Sequence, residues 1–478
     1  MKHTLPLLAA LLLAPLAPLN GNAAPASPKA LVTVHPETPG VAIPADFLGF
    51  SYEKSMLAET HFRADNAGMV NLYRNLGGGL LRFGGNQVEL TYWSRTDAKP
   101  PDSAKAPVGK KLQVIGPAAL DNLYAFAKQS GWRVLHGLNL GANDPAMAAD
   151  EAAYALQIGG PAVMAFEVGN EPDFYSRHDL RSTNYDYLQY RGEAEASQRA
   201  IRARSPNAPL AGPAITKFSN WLPGFVADFK GTLALATSHF YPLAAKSKDP
   251  RSPNFASVEH LLGAAAKTVW VPMIEEHLKA SHAAGIAFRI GECNSASGGG
   301  TEGVSDVFAS ALWGADFLFD VAGRGVAGIN FHGGFKDHGY TAFCFRNNHY
   351  HAHPLYYSML LFHQAARGRV LPVDCQTPIN VTAHAVLGDD RKLRVVLINK
   401  DLANSVVASI VPGSPCTKAE VIRLTAPSVT SAEGVTLAGS AVREDGTWTP
   451  QPGEPVPCVN SRFEVSLPAA SAALLTIE

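Results

Sequence analysis

The feature that most constrains this chain is an alternation. Between Phe47 and about Gln364, eight short β-type runs alternate with longer amphipathic helical stretches. The runs are Phe47–Glu53, Leu80–Phe83, Arg133–Asn139, Val163–Val168, Pro209–Gly212, Leu233–Tyr241, Ala287–Glu292 and Val326–His332. Helical patterns between them include Ala118–Ser130, Tyr187–Ser205, Val258–His282 and Val304–Ala322. Strands that alternate with helices want a parallel sheet, and eight such units close into a (β/α)8 TIM barrel. A doubly wound open sheet is the competing arrangement. It is disfavoured because no GxGxxG or GxxxxGK[ST] loop follows the first run.

After Gln364 the pattern changes to short alternating runs, Val381–Val386, Leu393–Ile398, Ser405–Ile410, Ala419–Leu424 and Phe463–Leu467, separated by Gly, Pro, Asn and Asp. These predict an antiparallel β-sandwich, to which Leu31–His35 adds an N-terminal strand. The expected organisation is a signal over residues 1–24, a catalytic barrel over 45–364, and a sandwich built from 28–44 and 365–478. The polar, lysine-rich stretch Asp97–Lys111 is expected to be an exposed loop.

The first 24 residues have a basic start at Lys2 and an apolar run from Leu5 to Leu19, with small residues near Ala24. That is the form of a secretory signal, and the proline-interrupted run is shorter than the roughly 20 residues of a spanning helix. An exported protein, periplasmic or secreted and without a membrane anchor, is expected. Five cysteines follow: Cys293, Cys344, Cys375, Cys416 and Cys458. None stands in CxxC or other metal-ligand spacing, so no zinc site is expected. Cys416 and Cys458, in one β-rich segment, are the most plausible bridge by position.

Barrel chemistry sits where the strands end. The fourth run ends in Asn170-Glu171-Pro172, with Pro172 stopping the ladder, and the seventh ends in Glu292. Both carboxylates therefore face one mouth. Such a pair is what glycoside hydrolysis needs: one carboxyl protonates the leaving oxygen, the other attacks the anomeric carbon. Asn170, placed to hold the sugar's 2-hydroxyl beside Glu171, assigns Glu171 as acid/base and leaves Glu292 as nucleophile. Tyr241 closes the sixth run and is placed to donate a hydrogen bond to that nucleophile. Glu167 reads as a satisfied barrel side chain, and Glu275 and Glu276 as solvated helix residues. Taken singly, an Asn-Glu-Pro is as easily a surface turn, and a glutamate after a strand a structural group; the pair on strands four and seven carries the argument.

At these residues the sequence resembles the retaining (β/α)8 glycosidase clan. More narrowly it resembles glycoside hydrolase family 79, the heparanase and β-glucuronidase family. The narrower resemblance rests on Phe47-Leu48-Gly49-Phe50-Ser51-Tyr52-Glu53, Leu81-Arg82-Phe83-Gly84-Gly85-Asn86, Gly169-Asn170-Glu171-Pro172 and the flanking sandwich. It implies Glu171 as acid/base, Glu292 as nucleophile, and Glu53 and Asn86 as ligands of sugar hydroxyls. It also implies a uronate-binding segment after the eighth strand, here Phe331-His332-Gly333-Gly334, Tyr340 and Pro354-Leu355-Tyr356-Tyr357. Gly333 and Gly334 allow close backbone approach. Tyr340 and Tyr356 both qualify as the tyrosine that holds the carboxylate. Tyr356 and Tyr357 equally suit core positions opening the last helix.

The expected activity is that of an exo-β-glucuronidase acting on terminal glucuronic acid of glycans or glycosides. The alternatives are a heparanase-type endo-β-glucuronidase, a neutral-sugar glycosidase of the clan, and a non-catalytic carbohydrate-binding barrel. Composition separates the first two. With 40 basic against 41 acidic residues the net charge is −1, which gives no basic footprint for nucleic acid or a long sulfated chain. Only Lys246, Lys248 and Arg251, and Lys105, Lys110 and Lys111, cluster modestly. No metal or organic cofactor is implied.

Overall fold

The computed structural model describes residues 28–101, 104, 109–415 and 418–478. The expected signal, part of the Asp97–Lys111 loop and Cys416 lie outside the described residues.

Eight parallel strands close into a barrel. In chain order they are Gly49–Glu53, Leu80–Gly84, Arg133–Leu138, Val163–Val168, Leu210–Ile215, Leu233–Phe240, Phe288–Cys293 and Ile329–Gly333. Each falls on one of the eight β-type runs. Each is covered on both faces, by the barrel interior and by the helices outside, so polar alternation is absent and apolar residues predominate.

The inward faces explain how a catalytic floor is made. Leu80, Leu135, Ala165, Ala211 and Leu235 form a small apolar cluster inside the barrel. Two residues further along three of these strands, on the same inward face, stand Arg82, Glu167 and Thr237. The interior thus changes from apolar to ionic on the way to the mouth. Arg82 and Glu167, fully buried, pair at 2.6 Å, and Thr237 donates to Glu167 at 2.6 Å. Glu167 is therefore the satisfied barrel side chain its sequence context suggests.

The helices start and stop for local reasons. Asp186 and Gln189 make a reciprocal capping box for Tyr187–Arg204, and Asp144 caps Pro145–Gly159. One expectation needs correction: the stretch Val258–His282 is two helices, Val258–Leu262 and Ala264–Ala284. Gly263 takes extended backbone between them, where any Cβ would press within 2.7 Å of the Glu259 carbonyl oxygen. Among the described residues no helix is long and apolar enough to cross a membrane.

The sandwich packs a four-stranded sheet on a seven-stranded one. The first contains Lys29–Val34, which runs antiparallel to Val373–Gln376 but parallel to Val406–Val411. The N-terminal segment therefore joins this domain, and its sheet is mixed rather than wholly antiparallel. The second sheet runs Gly368–Leu371, Val381–Gly388, Leu393–Asn399, Ser471–Ile477, Lys418–Thr425 and Thr436–Leu437 in spatial order, with Glu454–Pro457 also on Lys418–Thr425. Its central strand, Ser471–Ile477, is not among the runs that the sequence pattern predicts. Ala473, Leu475 and Ile477 face the sandwich core while Ala472 and Leu474 join the barrel core. Asp316 of the barrel helix Phe308–Gly323 accepts from Lys400 at 2.6 Å and lies 2.9 Å from His384 Nε2, both on the sandwich. Lys267 approaches at 3.1 Å. Cys458 is disulfide-bonded.

Candidate active site

The mouth of the barrel holds a cavity of about 380 Å³. Of the residues singled out in the sequence, Glu53, Asn86, Glu171, Tyr241, Glu292, His332 and Tyr340 line it.

Glu171 and Glu292 arrive there by different local devices. After Val168 the chain turns through Gly169, and Glu171 itself has φ 47° and ψ 53°, the left-handed region that a side chain rarely enters. Its amide donates to the Ala214 carbonyl at 2.8 Å, and its own carbonyl accepts from Phe174 at 2.8 Å, which holds the strained conformation. Glu292 follows a bulge between Ile290 and Glu292 that shifts the register against Leu233–Phe240. A bulge re-aims a side chain, and here it sets Glu292 opposite His239.

Arg82 organises the pair. All five of its N–H groups are used: Nε to Glu167, Nη1 to Ser51 and Glu292 at 3.0 Å each, and Nη2 to Asn170 at 2.8 Å and His239 Nε2 at 3.1 Å. A guanidinium only donates, so His239 Nε2 accepts. In the neutral ring Nδ1 then carries the proton and donates to Glu171 Oε1 at 2.9 Å. One buried cation thus holds Glu292 directly and Glu171 through an imidazole.

Tyr241 donates to Glu292 Oε1 at 2.7 Å, the contact its position suggested. Burial by itself pushes the Glu292 carboxyl up. The charges of His332 and Arg82 and the Tyr241 hydrogen bond outweigh it and leave Glu292 well below the usual carboxylate range. His332 is displaced the other way. Burial lowers it, but Glu292 and Glu53 raise it further, for a net rise.

One oxygen of Glu171, one of Glu292 and a ring nitrogen of His239 lie within 4.8 Å of one another. That spacing also suits a cation, yet the Arg82 guanidinium already fills the cationic position between Glu292 and His239. Glu53 accepts from the Gln87 amide at 2.7 Å and stands 3.8 Å from His332.

Four candidates do not line the cavity. Tyr356 is fully buried and donates to the Leu72 carbonyl at 2.5 Å, so it is a core residue of the last helix. That leaves Tyr340, whose ring lies 6.0 Å from that of Tyr241, as the tyrosine in the cavity. Gly333 and Gly334 also lie off the wall; the glycines that line it are Gly298 and Gly299, after the seventh strand. Asn170 lies beneath, its amide between Arg82 and the Asn86 side chain at 3.2 Å.

Several functional residues escaped sequence reasoning. Glu89, fully buried, accepts from the amides of Leu140, Gly141 and Asn170 and from the Tyr175 hydroxyl, which anchors the segment carrying Glu171. Asp173 accepts from the Thr216 hydroxyl and amide, clamping the loops after strands four and five together. Those loops present Phe174 and Phe218 as parallel rings 6.3 Å apart, with Phe218 74% exposed. Lys217 lines the cavity too, donating to the Tyr241 carbonyl, and burial lowers its pKa.

Comparison with known proteins agrees with this architecture. Residues 383–474 match the family model described as the glycosyl hydrolase family 79 C-terminal beta domain. A β-glucuronidase of Aspergillus niger is 26% identical over 239 residues, which is 46% of this chain but only 43% of that protein's length. Among solved structures, a 4-O-α-L-rhamnosyl-β-D-glucuronidase from Fusarium oxysporum 12S superposes with a TM-score of 0.79 at 20% identity, covering 93% of this chain and all of that one. A family 51 arabinofuranosidase from Xanthomonas axonopodis pv. citri superposes at 0.68 with 16% identity, over 94% of this chain and 100% of its own. The chain thus shares its fold with solved glycoside hydrolases and is β-glucuronidase-like in sequence over part of its length, and residues 383–474 of its sandwich are similar to the C-terminal beta domain of glycosyl hydrolase family 79, the family its barrel motifs resemble.

Proposed function

We propose that the protein is an exported retaining exo-β-glucuronidase. The observation that carries the retaining reading is that one carboxylate oxygen of Glu171 lies within 4.8 Å of one of Glu292. Retaining glycosidases hold their carboxyls about 5–5.5 Å apart, and inverting ones leave room for a water at about 6.5–9.5 Å. Glu292, held ionised, attacks the anomeric carbon as Glu171 gives its proton to the departing oxygen. Glu171 then takes a proton from water, which breaks the glycosyl–Glu292 bond and frees the sugar with its configuration kept.

The exo reading is supported by the cavity. Its volume of about 380 Å³ is at the small end for ligand sites, enough for one sugar and part of its leaving group. Lys246, Lys248, Arg251, Lys110 and Lys111 are exposed and absent from its wall, and among the described residues Lys217 is the only lysine or arginine on that wall. Lys217, His332 and Tyr340 are the groups on the wall that suit a single uronate carboxylate. The leaving group falls on the Phe174–Phe218 side, since Glu171 must reach its oxygen and Phe174 lies on the same loop. Export rests on the sequence of residues 1–24.

The test is hydrolysis of an aryl β-glucuronide, β-glucoside and β-xyloside by the purified protein, with the released anomer followed by NMR. Preference for the glucuronide and initial release of the β-anomer are expected. A faster glucoside or xyloside would overturn the glucuronidase reading, and release of the α-anomer the retaining one. Cleavage of a glucuronic-acid polysaccharide with no turnover of aryl glycosides would favour endo action.

A further inference from the structure

We propose that Asp337, Cys344, His351 and His353 form a zinc-type metal site that ties down the loop after the eighth barrel strand. A carboxylate oxygen of Asp337, the Cys344 sulfur and a ring nitrogen of His353 lie within 4.8 Å of one another. His351, whose ring nitrogens lie outside that 4.8 Å group, is set at its edge by the local fold and would join as a fourth donor by a turn of its side chain. Phe343–Arg346 and His349–Ala352 make an antiparallel hairpin in which Cys344 stands directly opposite His351. Residues so paired project from the same face. Nε2 of His351 is buried and has no hydrogen-bond partner. A buried nitrogen with nothing to bond to costs free energy, and a metal ion is a natural partner for it.

The surroundings also suit a cation. Nδ1 of His353 lies 3.1 Å from the Thr341 carbonyl oxygen. A proton on Nδ1 donated there leaves Nε2 with its lone pair free, the arrangement that orients metal-bound imidazoles. A cavity of about 350 Å³ beside the cluster carries the carboxylates of Asp306, Asp337, Glu433 and Glu444 against the single guanidinium of Arg346. Arg346 is 3.7 Å from Asp337 but hydrogen-bonded to Glu433 at 3.1 Å, so it keeps a partner if Asp337 turns to a metal. The Cys344 thiol now donates to Asp337 at 2.9 Å. Metal binding would release that proton and put a thiolate, two imidazoles and a carboxylate around the ion, a soft tetrahedral set that favours Zn²⁺ over Mg²⁺ or Ca²⁺. Tyr340 lies between Asp337 and Cys344 in the chain, so the ion would stiffen the segment that lines the catalytic cavity.

The experiment uses the full-length protein after chelation and buffer exchange, titrated with Zn²⁺ and, separately, with Co²⁺. The expected results are one equivalent bound, a rise in Tm with Zn²⁺, and a thiolate-to-cobalt charge-transfer band with Co²⁺. That band should vanish in Cys344→Ser and weaken in His351→Ala, while far-UV circular dichroism stays native. No stoichiometric uptake would overturn the proposal, as would a charge-transfer band that survives Cys344→Ser. None of these readouts depends on glycosidase activity, so failure here leaves the proposed function standing.

Discussion

Tyr241 and Phe218, both on the cavity wall, test different contacts. Tyr241→Phe removes a hydrogen bond to the ionised Glu292, worth about 1.5–3 kcal/mol. A carboxyl held below its usual pKa acts as an ionised group, and stabilises the fold, above its unfolded pKa; both effects are lost as pH falls through the depressed value. Without the tyrosine hydroxyl that loss moves to higher pH. The acid limb of kcat/KM should shift upward, with at least about a tenfold fall at the optimum; an unmoved limb would argue against the hydroxyl's role. Phe218→Ala should lower kcat/KM a few-fold for an aryl glucuronide and leave methyl glucuronide unchanged, since ring stacking contributes about 0.5–1.5 kcal/mol. An equal loss on both substrates would remove the ring from the leaving-group side. Glu171 and Glu292 were legible because strand ends and a proline mark positions in a linear pattern. The task of Arg82 is not legible in the sequence, since its five partners come from four separate strands or strand ends. The cluster of Asp337, Cys344, His351 and His353 was illegible for a related reason: a hairpin carrying Cys344 and His351, with the loop before it and the residue after it, sets these side chains near one another at a spacing no metal motif encodes.

Strand Ser471–Ile477 shows where patterning fails. It is buried on one face by the four-stranded sheet and on the other by the barrel helices. No polar alternation survives, and the run of Ala and Leu reads no differently from a helical segment. The edge strands Val373–Gln376 and Glu454–Pro457 escaped for the opposite reason, being short and partly exposed, the latter with two prolines that only an edge tolerates. The barrel strands, by contrast, were evident because helices punctuate them. Burial of the central strand predicts its sensitivity: Leu475→Ala should cost about 2–5 kcal/mol of unfolding free energy in a denaturant titration. A loss below about 1 kcal/mol would mean that the sheet rearranges around the gap.

Across the whole molecule, the barrel and sandwich meet through apolar packing and the buried Asp316 cluster. Burial raises the Asp316 carboxyl, but Lys400, His384 and Lys267 bring it well below the ordinary range. Its contribution is therefore present above the unfolded carboxylate pKa and disappears as pH falls through the depressed folded value. Asp316→Asn leaves Lys400 buried without its counter-charge and should cost about 3–5 kcal/mol. In calorimetry the single transition expected of the parent should broaden or split as the sandwich loosens first; an unchanged endotherm would show that apolar contact alone holds the two together. The pairing of Lys29–Val34 with Val406–Val411 has a different consequence, in time rather than energy. That ladder encloses the entire barrel as one loop, and contacts so distant in sequence form slowly unless the chain between them is already compact. The barrel should therefore fold first and bring the two ends of the clasp within reach, and pulse-labelled hydrogen exchange should find the amides of Lys29–Val34 among the last to gain protection.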